Sequence, residues 1–370
     1  MTAFRPVALL LVGIALLAGC EKFDRALTGN PPAQGPVPEI VVVADSQTYA
    51  GPVGDALREV FSTPLGTLPN RQGAFKIRRM DPNSRLVDRV RSLRLIIYAA
   101  PLDEQSRVGE YVRSQFDTAA QAAIRAGQGR GIYVRPDVWA NGQLVTTMTA
   151  GSDSSLAREI VQRGPELIRR YNVLAREATA ADIFGQYRQT DLEEEMLDRL
   201  GLGVKVQYDY VKAQDTTATV DGRTGEFMRY RRVLTDTWRD YFLFVEDGVT
   251  EVPDNDALDS LTDGLLEQFA LGTNDGSFVQ MDPLRPVSRD TVTIDGQLAR
   301  EKRGLWYMTE DLMGGSYVRY ALVLDGKLVL FYGMTFAPDR ALDKREFLRQ
   351  LEATAFTLRT AREAALSSPS

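Results

Sequence analysis

Histidine does not occur in this 370-residue chain, and cysteine occurs once, at position 20. The first absence removes the serine–histidine–carboxylate triad, the cysteine–histidine pair and every imidazole-ligated zinc site. The second removes disulfides within the chain and clusters of thiolate ligands, so the body must be held by its own core. No S-x-x-K motif occurs either. Carboxylates, tyrosine and a carboxylate-bound metal are the chemistry that remains, and no catalytic residue, metal ligand or cofactor is expected. With 44 basic and 50 acidic residues the net charge is −6, which lacks the basic surplus of a nucleic-acid binder. Beyond the N-terminus no apolar run approaches the roughly twenty residues needed to span a bilayer. A hydrophobic content of 44% and a charged content of 25% fit an ordinary globular body.

The one cysteine closes an N-terminal segment with its own logic. Arg5 supplies a positive start, residues 7–17 are apolar apart from Gly13, and small residues follow. That core is too short to cross a membrane but fits an export signal. Leu17-Ala18-Gly19-Cys20 resembles the lipobox of bacterial lipoproteins. The resemblance implies cleavage between Gly19 and Cys20, a diacylglyceryl group on the Cys20 thiol, and acylation of the new amine. Two or three acyl chains hold a protein stably at about 0.8 kcal/mol per buried methylene, where one chain binds marginally. Residues 1–19 are therefore expected to be a signal peptide. Residues 20–38 hold Pro31, Pro32, Pro36, Pro38, Gly29 and Gly35, and read as a lipidated tether reaching about 3 Å per residue. Glu21 and Lys22 after the cysteine lean toward the outer membrane.

The body reads as α+β in two similar halves, residues 39–180 and 181–370. Each is expected to be a mainly antiparallel sheet covered by helices. Residues 39–44 form a continuous β-branched run, the mark of a buried strand, and 75–80 and 93–99 look like further strands. Residues 104–126 carry Val108, Tyr111, Val112, Phe116 and Ala120 on one helical face. A hairpin is expected over 132–149 with Asn141-Gly142 as a type I′ turn. Residues 153–178 are helical, with Pro165 opening a second segment. Residues 179–189 mark the boundary between halves. Thr190 and Glu193 read as a capping box, with strands at 204–211, 227–234 and 238–246 beyond it. A helix at 256–271, turns at Asp295-Gly296 and Asp325-Gly326, and a last helix at 342–361 complete the pattern. Tyr133-Val134-Arg135 and Tyr317-Val318-Arg319 are each followed at equal spacing by Gly, Leu and Val, which suggests internal duplication. The order of elements in the second half also resembles the small α/β/α sandwiches of the PsbP and Mog1 type. Lipobox, tether and body together resemble an uncharacterised Bacteroidetes lipoprotein family, domain of unknown function 4837. The family implies no activity and no site residues.

Several stretches carry charge or polar chemistry. Between Arg71 and Arg94 eight basic residues stand against Asp81 and Asp88, a surplus of six in an acidic chain. Lys76, Arg78, Arg79, Arg89 and Arg91 from this stretch are a candidate anion-binding patch. A charge run is more often a solvated face whose arginines pair elsewhere. Asp45-Ser46 lies at the carboxyl end of the first buried strand, the edge where α/β folds take ligands, although an Asx turn explains it as well. Residues 254–259 begin like a calcium loop, but Leu258 and Asp259 stand where a ligand and a glycine are required. Gly127, Gly129 and Gly131 follow a helix and precede a strand, the reverse of a phosphate loop, and are read as a helix stop. Arg229, Tyr230, Arg231, Arg232, Trp238 and Tyr241 suit a glycan surface or a half-buried sheet. Glu193, Glu194 and Glu195 read as charge favoured in a first helical turn.

These readings lead to a lipid-anchored protein of the cell envelope, in the outer membrane, that acts as a non-enzymatic binding or scaffolding module. Its expected partners are the membrane, through the lipid on Cys20, and an envelope protein, glycan or anionic ligand. The alternative is a carboxylate-dependent hydrolase of envelope glycans, which needs two acids facing each other at roughly 5–9.5 Å. Replacing Cys20 with Ser is expected to move the protein from the membrane to the soluble fraction without unfolding it. A Cys20→Ser variant that keeps its membrane association after signal removal contradicts the anchor.

Overall fold

The structure is a computed structural model and describes residues 29–83, 87–185 and 187–361. Gly19, Cys20, the signal segment and Arg85 lie outside the described residues. Two compact units divide the chain: the described parts of Met1–Ala56 with Arg78–Ile160, and Leu57–Ile77 with Val161–Ser370. Strands and helices are both abundant and the fold class is α+β. Among the described residues no helix is long and apolar enough to cross a membrane.

The sheet of the first unit holds β1 (Glu39–Val43), β2 (Lys76–Met80, in this unit from Arg78), β3 (Leu95–Ala99), β4 (Ile132–Pro136) and β5 (Leu144–Met148) in the order β2-β1-β3-β5-β4. β1 runs parallel to β3, with Val43 opposite Tyr98, and β3 runs parallel to β5. β4 lies antiparallel beside β5 at the edge. The expected mainly antiparallel sheet is therefore corrected to a mixed one with a parallel centre. Parallel central strands are buried on both faces, so β3 and β5 are buried at every residue and read as unbroken runs. Such a run is silent about strand direction.

Four helices follow these strands: α1 (Ser46–Ala50), α2 (Pro52–Ser62), α3 (Arg107–Ser114) and α4 (Thr118–Arg125). The single helix expected over 104–126 is thus two. Asp117 ends its continuity by accepting a hydrogen bond from the Ala120 N–H at 2.7 Å, which caps α4. Val108, Val112, Phe116 and Ile124 still pack on one sheet face with Val41, Val43, Ile96 and Tyr98. The Asn141-Gly142 turn does not form as expected either. β4 stops at Pro136, and Asp137, at φ 50°, accepts from the N–H groups of Gly142 (2.6 Å) and Gln143 (3.3 Å). A wider loop, closed by that carboxylate, replaces the two-residue turn.

A long helix, α5 (Asp153–Phe184), runs through Pro165 without restarting. A proline inside a helix costs about 3 kcal/mol, and burial of Leu167, Tyr171 and Ala175 beyond it outweighs that cost. Next comes α6 (Thr190–Leu200), which begins at Thr190 without a side-chain cap. The expected capping box is absent because Glu193 is buried. Its carboxylate takes Arg188 through two bonds (2.6 and 3.0 Å) and the Val206 N–H at 2.9 Å.

The second unit holds β6 (Leu202–Gly203), β7 (Val211–Val220), β8 (Arg223–Val233), β9 (Trp238–Asp247), α7 (Asn255–Phe269), β10 (Val279–Met281) and β11 (Ser288–Ile294). β12 (Gln297–Met308), β13 (Gly314–Leu324), β14 (Lys327–Phe336), α8 (Lys344–Ala355) and β15 (Arg359–Thr360) complete it. Its large sheet has the order β10-β12-β13-β14-β9-β8-β7, with β11 also beside β12. Asp221-Gly222, Asp295-Gly296 and Asp325-Gly326 each place both residues at positive φ, the geometry of a two-residue type I′ turn. The strand expected at 204–211 is displaced to β7 by the first of these turns. One sheet face carries Phe227, Phe242, Tyr317 and Tyr332 against Leu258, Leu261 and Leu265 of α7. The other carries Tyr230, Tyr241, Phe331 and Tyr320 against Met196 of α6 and Leu348 and Leu351 of α8. On each face the rings form a ladder across four strands: Phe227–Phe242–Tyr332–Tyr317 at 5.1, 5.3 and 5.2 Å, and Tyr230–Tyr241–Phe331–Tyr320 at 5.2, 5.4 and 6.3 Å. Neighbouring rings add about 0.5–1.5 kcal/mol per pair beyond their burial.

The two sheets differ in strand number, direction and order, so duplication finds no support in the topology. The matching Tyr-Val-Arg stretches reflect strand alternation, which any hairpin shares.

Covering a sheet on both faces traps polar side chains. Glu352 of α8 is almost fully buried between Arg303 and Arg345, and Arg345 Nη1 lies 2.7 Å from its Oε1. Burial pushes this carboxyl up, but Arg303, Arg345 and Arg349 together outweigh it and hold it well below the usual 4.5. A group lowered in this way stabilises fully above its unfolded value, and the contribution fades as pH falls toward the folded value. Glu346, raised by burial, offsets part of this on acidification. In urea unfolding, Glu352→Ala is expected to cost about 3–5 kcal/mol, because two buried guanidinia lose their shared partner. It should also remove part of the wild-type decline in stability below about pH 4.5. A loss under about 1 kcal/mol contradicts the network's role.

Candidate functional site

Strand order reverses at β1. The chain leaves β1 for β2 on one side and returns to β3 on the other. Such a reversal leaves a gap at the carboxyl ends of the two strands, where open α/β sheets bind ligands. A crevice of about 190 Å³ lies there, with Val43 and Tyr98 at the ends of β1 and β3 and Arg107, Val108 and Tyr111 from the start of α3. Pro82 after β2, Arg91 from the 3-10 turn Val87–Ser92 and Trp139 from the loop before β5 complete the lining.

Local sequence explains why α3 begins here. Ser106 caps it by accepting from the Gly109 N–H at 3.2 Å. Gly109 is required because a Cβ there would sit 2.2 Å from the Glu104 carbonyl oxygen. The Glu104 carboxylate is engaged by the hydroxyls of Thr48 (2.5 Å) and Ser106. With Ser106 serving Gly109, the first two N–H groups of the helix, those of Arg107 and Val108, face outward from the helix end without an intrahelical partner. The positive end of the helix dipole points the same way.

Three aromatic rings form the wall. Tyr98 and Tyr111 lie 4.4 Å apart, and Tyr98 meets Trp139 edge-on at 6.3 Å. The Arg91 guanidinium sits over the Trp139 ring at 5.6 Å. Burial pushes the Tyr111 phenol above its usual range against the pull of Arg135 and Arg91. Among the described residues neither Arg91 nor Arg107 has an ion-pair partner, and both are exposed. Two cations without counter-charges, beside a helix start and an aromatic wall, can take an anionic group attached to something flat or apolar.

The five residues expected to form an anion patch are distributed otherwise. Lys76 belongs to the second unit and pairs with Asp343 at 2.6 Å. Arg78 pairs with Glu39 at 2.7 Å, and Arg79 donates to the Ala44 carbonyl at 3.1 Å and reaches Asp81 at 3.5 Å. Arg89 is exposed on the 3-10 turn. Of the five, Arg91 alone lines the crevice. Asp45 lies at the expected ligand edge but is spent on capping α1, accepting from the Gln47 N–H at 2.9 Å. Asp254 likewise caps α7. Arg229 is buried and paired with Asp240 at 2.6 Å, with Tyr230 and Tyr241 on the opposite buried face, so that stretch presents no glycan surface. Arg107, Tyr111 and Trp139 were not singled out from sequence. The available signal was a helix start following a buried strand.

A second cleft, about 720 Å³, lies in the second unit and is lined in part by Glu251, Asn255, Arg289, Asp290, Arg300 and Glu301. Its charges are of mixed sign and largely engaged. Arg289 reaches Asp259 at 3.3 Å, and Glu301 is forked by Arg303 at 2.7 and 2.8 Å.

Residues 189–357 match the family model described as Domain of unknown function (DUF4837), the family named by resemblance. Residues 33–183 match a different one, Domain of unknown function (DUF8532), so the first resemblance extends over the second half only. No curated protein matches the chain. The crevice falls within the DUF8532 match. Gly109→Ala is expected to destabilise the first unit by about 1–3 kcal/mol, since the methyl must displace backbone. Chemical denaturation of a chain with Trp238 and Trp306 replaced by Phe, followed through the fluorescence of Trp139, checks this, and a neutral substitution contradicts the packing described.

Proposed function

We propose that the chain is a lipid-anchored envelope protein whose first unit binds a small anionic ligand in the crevice over β1 and β3. The observation that carries this reading is the presence in one crevice of two arginines, Arg91 and Arg107, without a counter-charge among the described residues, together with the start of α3. Elsewhere in the described chain some buried arginines are matched to acids, as Arg229 is to Asp240 and Arg303 to Glu301, while Arg239 is buried over the Phe347 ring instead. Unmatched cations converging on one concavity are unfavourable unless something negative visits them. The lipobox at Leu17–Cys20 supports attachment through lipid, while the described end of the expected tether is docked on the first unit, with Ala33 buried and Pro31, Ala33 and Gln34 hydrogen-bonded to Asn141, Ser92 and Arg94. Outer-membrane placement rests on the residues after Cys20. Capture of a ligand, without conversion, suits a crevice whose described lining carries no carboxylate.

Beside an open, acid-lined cleft of about 610 Å³ at Asp191, Glu194, Glu195, Asp198 and Asp215, where Lys212 and Arg199 engage Glu195 and Asp215, the glycan-hydrolase alternative has the larger cleft to use. There Glu301 is clamped by Arg303 and Asp290 accepts from the Thr291 N–H at 2.8 Å, which leaves Glu251 without an obvious acidic partner. The binding reading is therefore preferred. Titration of the Cys20→Ser protein with inorganic phosphate, followed by calorimetry, is expected to show saturable binding that weakens with salt. Arg107→Gln should weaken it about tenfold, the loss of one charge-assisted hydrogen bond. No saturable heat, or equal binding by the variant, contradicts the proposal.

A further inference from the structure

We infer that the ligand of the crevice is a single phosphorylated sugar ring. This rests on the anion-binding reading above and names the class of molecule that satisfies the whole lining. The lining is part cationic and part aromatic, with the Arg91 guanidinium over the Trp139 ring. Arg91, Arg107 and Val108 belong to that lining, and the N–H groups of Arg107 and Val108, in the first turn of α3, have no intrahelical partner. A phosphate monoester carries about −1.5 to −2 charge near neutral pH and three strong acceptor oxygens. It balances two arginines, and its oxygens can accept from both forks and from the helix start together. A carboxylate brings half the charge and two oxygens, so it leaves one cation unmatched.

The aromatic part of the lining argues that the ligand is more than a phosphate. Tyr98, Tyr111 and Trp139 present ring surface, and Val43, Pro82 and Val108 add apolar area beside them. A bare ion would leave this wall facing water. A sugar ring offers C–H faces to the aromatic surface and keeps its hydroxyls toward the exposed rim. Volume sets the upper limit. The crevice of about 190 Å³ equals about six waters at ~30 Å³ each. It falls short of the roughly 300–1,000 Å³ pockets that take drug-sized ligands. A single ring with its phosphate suits that space, whereas a nucleotide with its base or a lipid with its acyl chains would extend well outside it.

Calorimetry on the Cys20→Ser full chain separates the possibilities. The probes are inorganic phosphate, glucose, glucose 6-phosphate and glucuronate. A mannose 6-phosphate-terminated oligosaccharide presents the same group at the end of a glycan. Glucose 6-phosphate or the terminal sugar phosphate is expected to bind at least tenfold tighter than inorganic phosphate, glucose and glucuronate. Whichever of the two binds tighter identifies a free or a glycan-borne source. Arg91→Gln and Arg107→Gln should each cost about tenfold. Trp139→Leu should reduce sugar-phosphate affinity while leaving that for inorganic phosphate unchanged. Because Trp139→Leu perturbs packing as well, its melting curve is recorded beside the exposed Arg91→Gln variant. Inorganic phosphate binding as tightly as the sugar phosphates overturns the inference but leaves the anion site standing. Glucuronate binding as tightly overturns the choice of phosphate. Absence of binding by every probe overturns both the inference and the reading on which it rests.

Discussion

Strands that run parallel cannot be joined by a tight turn, and β1 and β3 run parallel. That constraint organises the first unit. The chain must travel a long way between them, and it does so through α1, α2 and β2 before returning. Because β2 takes the position on the far side of β1, strand order reverses, and beyond the paired Val43 and Tyr98 the connections that leave β1 and β3 diverge. The start of α3 then falls beside the opening, with its N–H groups and Arg107 at the rim. No individual residue would create this site. It follows from strand direction, and the residues decide what the opening holds.

The second unit shows how the same kinds of side chain behave when the sheet is closed on both faces. Arginine is buried there repeatedly, but with acids: Arg319 and Lys302 on Asp259, Arg229 on Asp240, Arg303 on Glu301 and Glu352. Burial of Lys302 lowers its affinity for a proton, and Asp259 works against that loss. These pairs contribute little net stability over apolar residues of the same size, yet removing one partner leaves a charge stranded. The contrast gives the crevice its meaning. Arg91 and Arg107 are instead exposed and, among the described residues, stand without acids beside an aromatic wall.

Turns and apolar periodicity were legible in the sequence wherever a local rule is strict. Asp295-Gly296 and Asp325-Gly326 form the turns they suggest, because two successive positive φ values leave few alternatives. Asn141-Gly142 misled, since Pro136 ends its strand and Asp137 closes a wider loop by side-chain hydrogen bonds. Glu193 misled for another reason: its position matches a capping box, but its environment is interior and charged. Parallel pairing left no mark, as a buried β-branched run is the same in either direction. The crevice was half legible. The carboxyl edge of the first strand was the right place and Asp45 the wrong residue, while Arg91 was noticed only as part of a charge run. Arg107, Tyr111 and Trp139 arrive from separate segments, and spacing along the chain carries no trace of their meeting.

Amide hydrogen exchange, measured residue by residue by NMR, reaches the central claim directly. The N–H groups of Arg107 and Val108 lack intrahelical partners and should exchange quickly in the free protein. Saturation with the tightest-binding anion is predicted to slow exchange at these two amides, with little change along the rest of α3. Unchanged exchange at both positions under saturating ligand would contradict the assignment of this crevice as the binding site.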